Sequence, residues 1–367
     1  MTAAPNPAPT GATDTAPPAV ASTTSSGATD TAPPAVASTT TAIEVEGLQK
    51  SFATRGGRVE AVAGLSFHVA PGEIFGLLGP NGAGKTTTMR MLTTLLPIDA
   101  GRAIVAGIDV AKRPRQVRQH IGYVSQLGGA DNLASGRENL TLQGALYGMG
   151  RRELNRRVEE LLELLDLAEF ADRRAMTYSG GQRRRLDVAL GIVHRPEVLF
   201  LDEPSTGLDP QNRANLWEHV RGLADAGTTV VLTTHYLDEA DALCARIVIV
   251  DHGRIVTEGT PDELKHRVAG ATVSITLAEP LRDEPRARTA LQAASCVLDV
   301  AADGDVLRLH VAYGSAALPE VLRALDSVGV EVASLTLAEA SLDDVFLAET
   351  GRSLRDAGPA PADGRPS

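Results

Sequence analysis

One short run constrains this chain more than any other part of it: Gly79-Pro80-Asn81-Gly82-Ala83-Gly84-Lys85-Thr86. It has the form GxxxxGK[ST], in which glycines let the backbone curl so that successive N–H groups point at phosphate oxygens. Glu73-Ile74-Phe75-Gly76-Leu77-Leu78 before it reads as a buried strand, and Thr87-Thr88-Met89-Arg90-Met91-Leu92 after it reads as a helix. That helix would aim its positive N-terminal end at the same anion. Lys85 could then reach the outer phosphates, and Thr86 could offer its hydroxyl to Mg²⁺. A strand–loop–helix of this kind commits the chain to an α/β architecture.

The remaining bulk properties narrow the class. The chain has 367 residues, enough for two domains and tails. Its longest apolar runs, such as Val198-Leu199-Phe200-Leu201 and Ile247-Val248-Ile249-Val250, are far shorter than the roughly 20 residues a membrane-spanning helix needs. The chain is therefore not expected to cross a membrane. A net charge of −11 argues against a basic surface for nucleic acid. Two local basic clusters stand out, Arg151-Arg152 with Arg156-Arg157, and Arg183-Arg184-Arg185. The first reads as a solvated helix face. Cys244 and Cys296 have no metal-ligand spacing, so neither a zinc site nor a disulfide framework is expected, as suits a reducing compartment.

Residues 1–41 are low in complexity. Gly11 to Thr24 recurs identically at Gly27 to Thr40, and the segment has almost no large apolar residue. It cannot bury enough surface to offset the entropy of ordering, so disorder is expected, as it is for residues 351–367. Between these tails, residues 42–270 alternate strand and helix patterns around the phosphate loop, which argues for a mostly parallel sheet covered by helices. Residues 271–350 change texture and read as a small α+β unit without a catalytic constellation.

The chemistry is carried by further motifs. Val198-Leu199-Phe200-Leu201-Asp202-Glu203-Pro204 is an apolar strand ending in two acids. An Asp at such a strand end can hold the Mg²⁺ shell, and the adjacent Glu can polarise the water that attacks the γ-phosphate. Neighbours on an extended chain point to opposite sides, so one carboxylate is expected to face the metal and the other the water. Upstream, Ser179-Gly180-Gly181-Gln182 opens an arginine-bearing helix and reads as a second anion site. Such a site could not easily reach the nucleotide held by its own chain's loop. It implies a head-to-tail dimer with ATP between two chains.

In order along the chain stand Gly79 to Thr86, Gln126 after an apolar strand, Ser179 to Gln182, Val198 to Glu203, Ser205-Thr206-Gly207-Leu208-Asp209, and His235. This ordered set resembles the ATP-binding cassette of an ABC transporter over about residues 43–260. The fold that the resemblance implies is a P-loop ABC ATPase core, a mostly parallel sheet with helices plus a helical subdomain, followed by the small C-terminal α+β domain. By the same resemblance Lys85, with Gly79, Pro80, Asn81, Gly82, Ala83, Gly84, Thr86 and Thr87, binds the triphosphate of ATP. Thr86, Gln126 and Asp202 serve Mg²⁺. Glu203 is the general base, and His235 contacts the γ-phosphate. Ser179, Gly180, Gly181 and Gln182 bind the nucleotide of the opposite subunit, and Asp209 couples the two sites. Phe52 stands where the family places an adenine-stacking aromatic, often Tyr. Tyr178 replaces the usual Leu before Ser-Gly-Gly-Gln.

Thr177 to Asp187, and Ala340-Ser341-Leu342-Asp343-Asp344-Val345-Phe346-Leu347, resemble the daunorubicin-resistance type of ABC exporter ATPase. In that group a separate chain carries the membrane helices. The resemblance implies an ATPase subunit at the cytoplasmic face of the membrane, a transmembrane permease as partner and a second ATPase subunit, with export of a hydrophobic, drug-like compound. No nucleic acid partner is expected. The rival reading keeps the ATPase and replaces the permease with a soluble partner.

Overall fold

The computed structural model describes residues 41–54, 57–267, 271–303, 306–312, 314–338 and 341–350. The duplicated N-terminal repeat and the 351–367 tail, both expected to be disordered, lie outside the described residues.

The chain opens with a long antiparallel hairpin, β1 (Ile43–Thr54) and β2 (Gly57–Val69), followed by β3 (Ile74–Leu78), which leads into the phosphate loop and α1 (Lys85–Leu92). After β4 (Ala100–Val105), β5 (Ile108–Asp109), α2 (Pro114–His120) and β6 (Ile121–Val124) come the helices α3 (Gly136–Leu146), α4 (Arg151–Leu164) and α5 (Gly180–Ile192). Next are β7 (Val198–Asp202), α6 (Pro210–Asp225), β8 (Thr229–Thr234), α7 (Leu237–Leu243), β9 (Arg246–Asp251), β10 (Arg254–Gly259) and α8 (Pro261–Arg267).

Two sheets result. One is antiparallel, in the order β2-β1-β4-β5; the other has six strands in the order β10-β9-β3-β8-β7-β6. In the six-stranded sheet every pair from β9 to β6 is parallel and only β10 runs against its neighbour. The parallel strands are buried almost throughout because both faces are covered, and their apolar residues alternate between different cores. Phe75, Phe200, Val231, Val248 and Val250 join Met89 and Leu92 of α1 and Ile43, Leu48 and Leu65 of the antiparallel sheet. Leu199, Leu201, Val230, Leu232, Ile247 and Ile249 face the other way, toward Leu186, Ala189, Leu216, Val220 and Leu243 of the covering helices.

In α4 the buried set Leu154, Arg157, Val158, Leu161 and Leu162 follows the helical period. Arg157 therefore departs from the solvated face expected of its cluster. Its Nη2 donates to the carbonyl of Ile192 at 2.8 Å and its Nε to that of Val193 at 3.3 Å. Those carbonyls close α5, where backbone acceptors have no helical partner and a cation is favoured.

The C-terminal segment comprises β11 (Ala271–Leu277), α9 (Pro280–Gln292), β12 (Val297–Asp303), β13 (Val306–Val311), α10 (Leu318–Ser327) and β14 (Val332–Ala338). Its strands form a separate antiparallel sheet in the order β12-β13-β11-β14, a split β-α-β arrangement. Ala287 and Leu291 of α9 and Val321 and Leu325 of α10 pack on Val273, Ile275 and Leu309 to make its own core. The last helix, α11 (Leu342–Thr350), belongs elsewhere. Its Leu342, Val345 and Phe346 lie in the same cluster as Leu243 of α7 and Leu264 of α8.

Candidate functional site

Four neighbouring strands, β3-β8-β7-β6, run parallel, so their carboxyl ends lie along one edge of the sheet. The phosphate loop leaves β3, His235 follows β8, Asp202 ends β7 with Glu203 next to it, and Gln126 lies just past β6. Motifs far apart in sequence thus stand in a row, at the edge where open α/β sheets bind ligands.

The loop is built around glycine. Gly84 caps α1 at φ 107°, and a Cβ there would lie 2.4 Å from the Ala61 carbonyl oxygen on β2. Only glycine tolerates both conditions. Lys85 is buried and folds back over the loop, donating to the carbonyls of Gly79 at 2.7 Å and Pro80 at 3.0 Å. Burial pushes its ammonium below the usual lysine range, opposed by the nearby charges of Glu203 and Asp202. Pro80, Ala83 and Gly84 are buried, Asn81 and Gly82 form the exposed tip, and Thr86 and Thr87 are half-buried at the start of α1.

Asp202 is engaged through both carboxylate oxygens. Its Oδ1 accepts from the Thr86 hydroxyl at 3.1 Å and from Thr233 at 2.6 Å, and its Oδ2 accepts from Tyr123 at 3.3 Å. Burial and the Asp202 charge raise the Tyr123 phenol to about 12, so it stays a donor. Thr86 and Asp202 together offer oxygen donors only, which fits Mg²⁺.

Glu203 corrects one expectation. It does not continue the pleat of β7: its φ is 47°, in the left-handed region. The two carboxylates are set apart by this turn, not by strand alternation. The turn is held by the Glu203 amide, which donates to both the carbonyl and the hydroxyl of Thr233 at 3.1 Å. Such a conformation is costly for a side chain with a Cβ and persists only where surroundings enforce it. The carboxylate then lies within reach of three partners. Gln126 Nε2 donates to Oε2 at 2.9 Å, Thr206 Oγ1 donates to the same oxygen at 3.3 Å, and His235 Nδ1 lies 3.3 Å from Oε1. Burial pushes the Glu203 carboxyl up, but His235, Lys85 and Thr206 outweigh it and hold the group below the usual glutamate range. Gln126, expected beside the metal donors, is bonded to Glu203 instead of to Thr86 or Asp202.

The other expected residues lie apart from this row. Ser179 caps α5 in a reciprocal box: its Oγ accepts from the Gln182 amide at 3.2 Å, and Gln182 Oε1 accepts from the Ser179 amide at 2.9 Å. Ser179 and Gly180 are exposed. Among the described residues no hydrogen bond links Ser179 to Gln182 with the phosphate loop of the same chain. Gly181 abuts α6, since a Cβ on it would lie 2.0 Å from Asn212 Oδ1. Asn212 is in turn held by Asp209, the N-cap of α6, through its backbone amide at 2.9 Å. Phe52 is 38% exposed on the hairpin that also supplies Ala61, with Lys50 Nζ 5.8 Å from its ring centre. Sequence reading assigned no role to Tyr123, Thr206 or Thr233: Tyr123 and Thr233 reach the site through strand adjacency, and Thr206 through the turn that follows Glu203.

A family model described as ABC transporter matches residues 62–206, and one described as ATP-binding protein DrrA1-3-like, C-terminal domain, matches residues 259–350. The daunorubicin resistance ATP-binding protein DrrA2 of Streptomyces coeruleorubidus is 45% identical over 312 residues, covering 84% of this chain and 95% of that protein. The chain belongs to the ABC family of ATP-binding proteins. Within it, the daunorubicin/doxorubicin resistance ATP-binding protein DrrA of Streptomyces peucetius is 44% identical over 321 residues, 86% of this ABC protein and 94% of its relative. A solved ATP-binding subunit of an ABC transporter is 27% identical with a TM-score of 0.56, covering 62% of this chain and 93% of that one. This ABC protein is a nucleotide-binding ATPase. Among its described residues no helix is long and apolar enough to cross a membrane.

Proposed function

We propose that this ATPase powers export of a hydrophobic, drug-like compound through a separate transmembrane permease, working as a dimer at the cytoplasmic face of the membrane. The observation that carries the reading is the Glu203 carboxylate held between Gln126 and His235, beside the Thr86–Asp202 pair, at the ends of adjacent strands. The names of the relatives, which confer daunorubicin or doxorubicin resistance, support the substrate class.

In this reading the phosphate loop and Lys85 bind the triphosphate of ATP, and Phe52 stacks on its adenine. Thr86 and Asp202 would hold Mg²⁺, while Gln126 bonds Glu203. When bound, the metal neutralises charge that develops on the transferred phosphoryl group. Glu203, kept ionised, accepts the proton of the attacking water. His235 orients Glu203 and reaches toward the γ-phosphate. Ser179 to Gln182 of each chain close over the nucleotide of the other, and Asp209 links the two sites through the α6 cap. The second subunit is a further copy of this chain.

The permease is expected at a cleft of about 310 Å³ between β6, α3 and α5, lined by Tyr123, Ser125, Gln143, Tyr147 and Asp187. Leu127 and Leu146, next in sequence to lining residues, are 94% and 74% exposed, apolar surface that suits a partner. The test is affinity purification of a Glu203→Gln chain with ATP and Mg²⁺ from detergent-solubilised membranes. A stoichiometric partner with about six apolar spans of roughly 20 residues supports the reading. A pool bound to ribosomes, to nucleic acid or to nothing overturns it.

A further inference from the structure

The basic run Arg183-Arg184-Arg185 has no part in the functional reading above, yet its middle residue is buried in α5 at 7% exposure. The Arg184 guanidinium donates to three carbonyls. Nε meets the Pro204 oxygen at 2.7 Å, Nη2 the Asp202 oxygen at 3.1 Å, and Nη1 the Ser125 oxygen at 2.7 Å. These peptides lie on either side of Glu203 and immediately before Gln126. One helical turn on, the Asp187 Oδ1 accepts from the amides of Gly129 at 2.8 Å and Ala130 at 3.2 Å, on the far side of Gln126. Arg184 and Asp187 also attract each other, and burial draws the Arg184 pKa down without removing its charge.

Both segments gripped by α5 therefore end in the side chains that meet each other, since Gln126 Nε2 donates to Glu203 Oε2. The same helix carries Ser179 as its N-cap. A buried cation is tolerated only when its donors are satisfied, and a planar fork of five N–H groups can span three fixed carbonyls where an ammonium cannot. We propose that Arg184 and Asp187 are positioning residues for ATP hydrolysis: a bracket on α5 that sets Glu203 and Gln126 and passes displacement of the Ser179 end to them within one chain. This inference rests on Glu203 being the hydrolytic base.

The experiment compares Arg184→Lys, Asp187→Ala, Glu203→Gln and the double variant Arg184→Lys/Glu203→Gln in the full chain. Each is followed by steady-state and single-turnover ATP hydrolysis, by ATP binding, and by thermal unfolding. Arg184→Lys is expected to lower kcat about 10- to 100-fold, the scale of misplacing a catalytic group by about 1 Å, while ATP binding changes little. Asp187→Ala, which leaves the arginine in place, is expected to lower kcat about tenfold with the same split. The double variant should hydrolyse no more slowly than Glu203→Gln alone, because the bracket acts through that carboxylate. Equal multiplicative losses in the two backgrounds would overturn the bracket, as would unchanged kcat in Asp187→Ala. If Arg184→Lys fails to fold, Asp187→Ala decides alone. A Glu203→Gln chain with wild-type turnover would refute the general-base reading instead, and is recognised separately by that single variant.

Discussion

His235 Nδ1 lies 3.3 Å from Glu203 Oε1, and the two residues sit on the loops that follow two adjacent parallel strands. The contact helps keep Glu203 ionised despite its burial. Removing the carboxylate's charge while keeping its shape should leave nucleotide binding intact and abolish proton acceptance. Glu203→Gln is expected to lower kcat by about 10²- to 10⁴-fold with ATP affinity retained. Phosphate release and nucleotide titration on the same preparation check it; loss of both together would count against the assignment.

Lys85 separates stability from function. Its ammonium is buried against the Gly79 and Pro80 carbonyls, and the desolvation cost outweighs the attraction of the nearby Glu203 and Asp202 charges. Because desolvation is the larger of the two effects, removing this charge relieves a net electrostatic cost. Lys85→Met should therefore unfold at the same or a higher temperature. Its ATP affinity should fall by roughly 10- to 100-fold, the scale of about 1.5–3 kcal/mol for a charge-assisted bond. Calorimetric unfolding and binding titration together give the answer. A fall in both quantities would mean the lysine supports the loop itself.

Glu239 of α7 is fully buried behind this site, its Oε1 accepting from Trp217 Nε1 at 3.2 Å. Burial raises its carboxyl above the ordinary 4.5, outweighing the hydroxyls of Thr234 and Ser205 and the Trp217 indole. The folded state thus keeps a proton that the unfolded chain releases. Stability from this group is complete below 4.5 and declines as pH rises from there toward the raised value. Glu239→Gln should flatten that decline, matching the wild type in acid and exceeding it at pH 8. Urea unfolding across the pH range measures the slope. Parallel curves for the two proteins would show that Glu239 is ionised in the fold.

Much of this was legible because the decisive chemistry is local. Gly79 to Thr86 encodes its own turn, and the runs Val198–Leu201 and Thr229–Thr233 declare buried strands. What connects them is not local. Tyr123 and Thr233 reach Asp202 only because β6, β7 and β8 are neighbours, an order no single segment states. The left-handed Glu203 was hidden for the same reason, since the Thr233 that enforces it lies 30 residues away. Arg157 and Arg184 looked like members of charge clusters. Their burial depends on which carbonyls the fold leaves unpaired at a helix end and at strand ends.

Phe346 carries a last consequence of that kind. The periodicity of Leu342, Val345 and Phe346 predicts an apolar helix face but not which of two nearby cores it enters. The structure puts that face against Leu243 and Leu264, so the chain leaves the C-terminal sheet and returns to the ATPase core. Phe346 is fully buried there, whereas Leu347 beside it is 48% exposed. Phe346→Ala should destabilise the ATPase core by about 3–5 kcal/mol through lost transfer energy and a cavity. Leu347→Ala should stay within about 0.5 kcal/mol of the parent. The informative readout is unfolding of the ATPase core, followed by the fluorescence of Trp217, which lies against the same cluster. Equal behaviour of the two variants, or a loss confined to the C-terminal sheet, would refute the placement of α11 in the core.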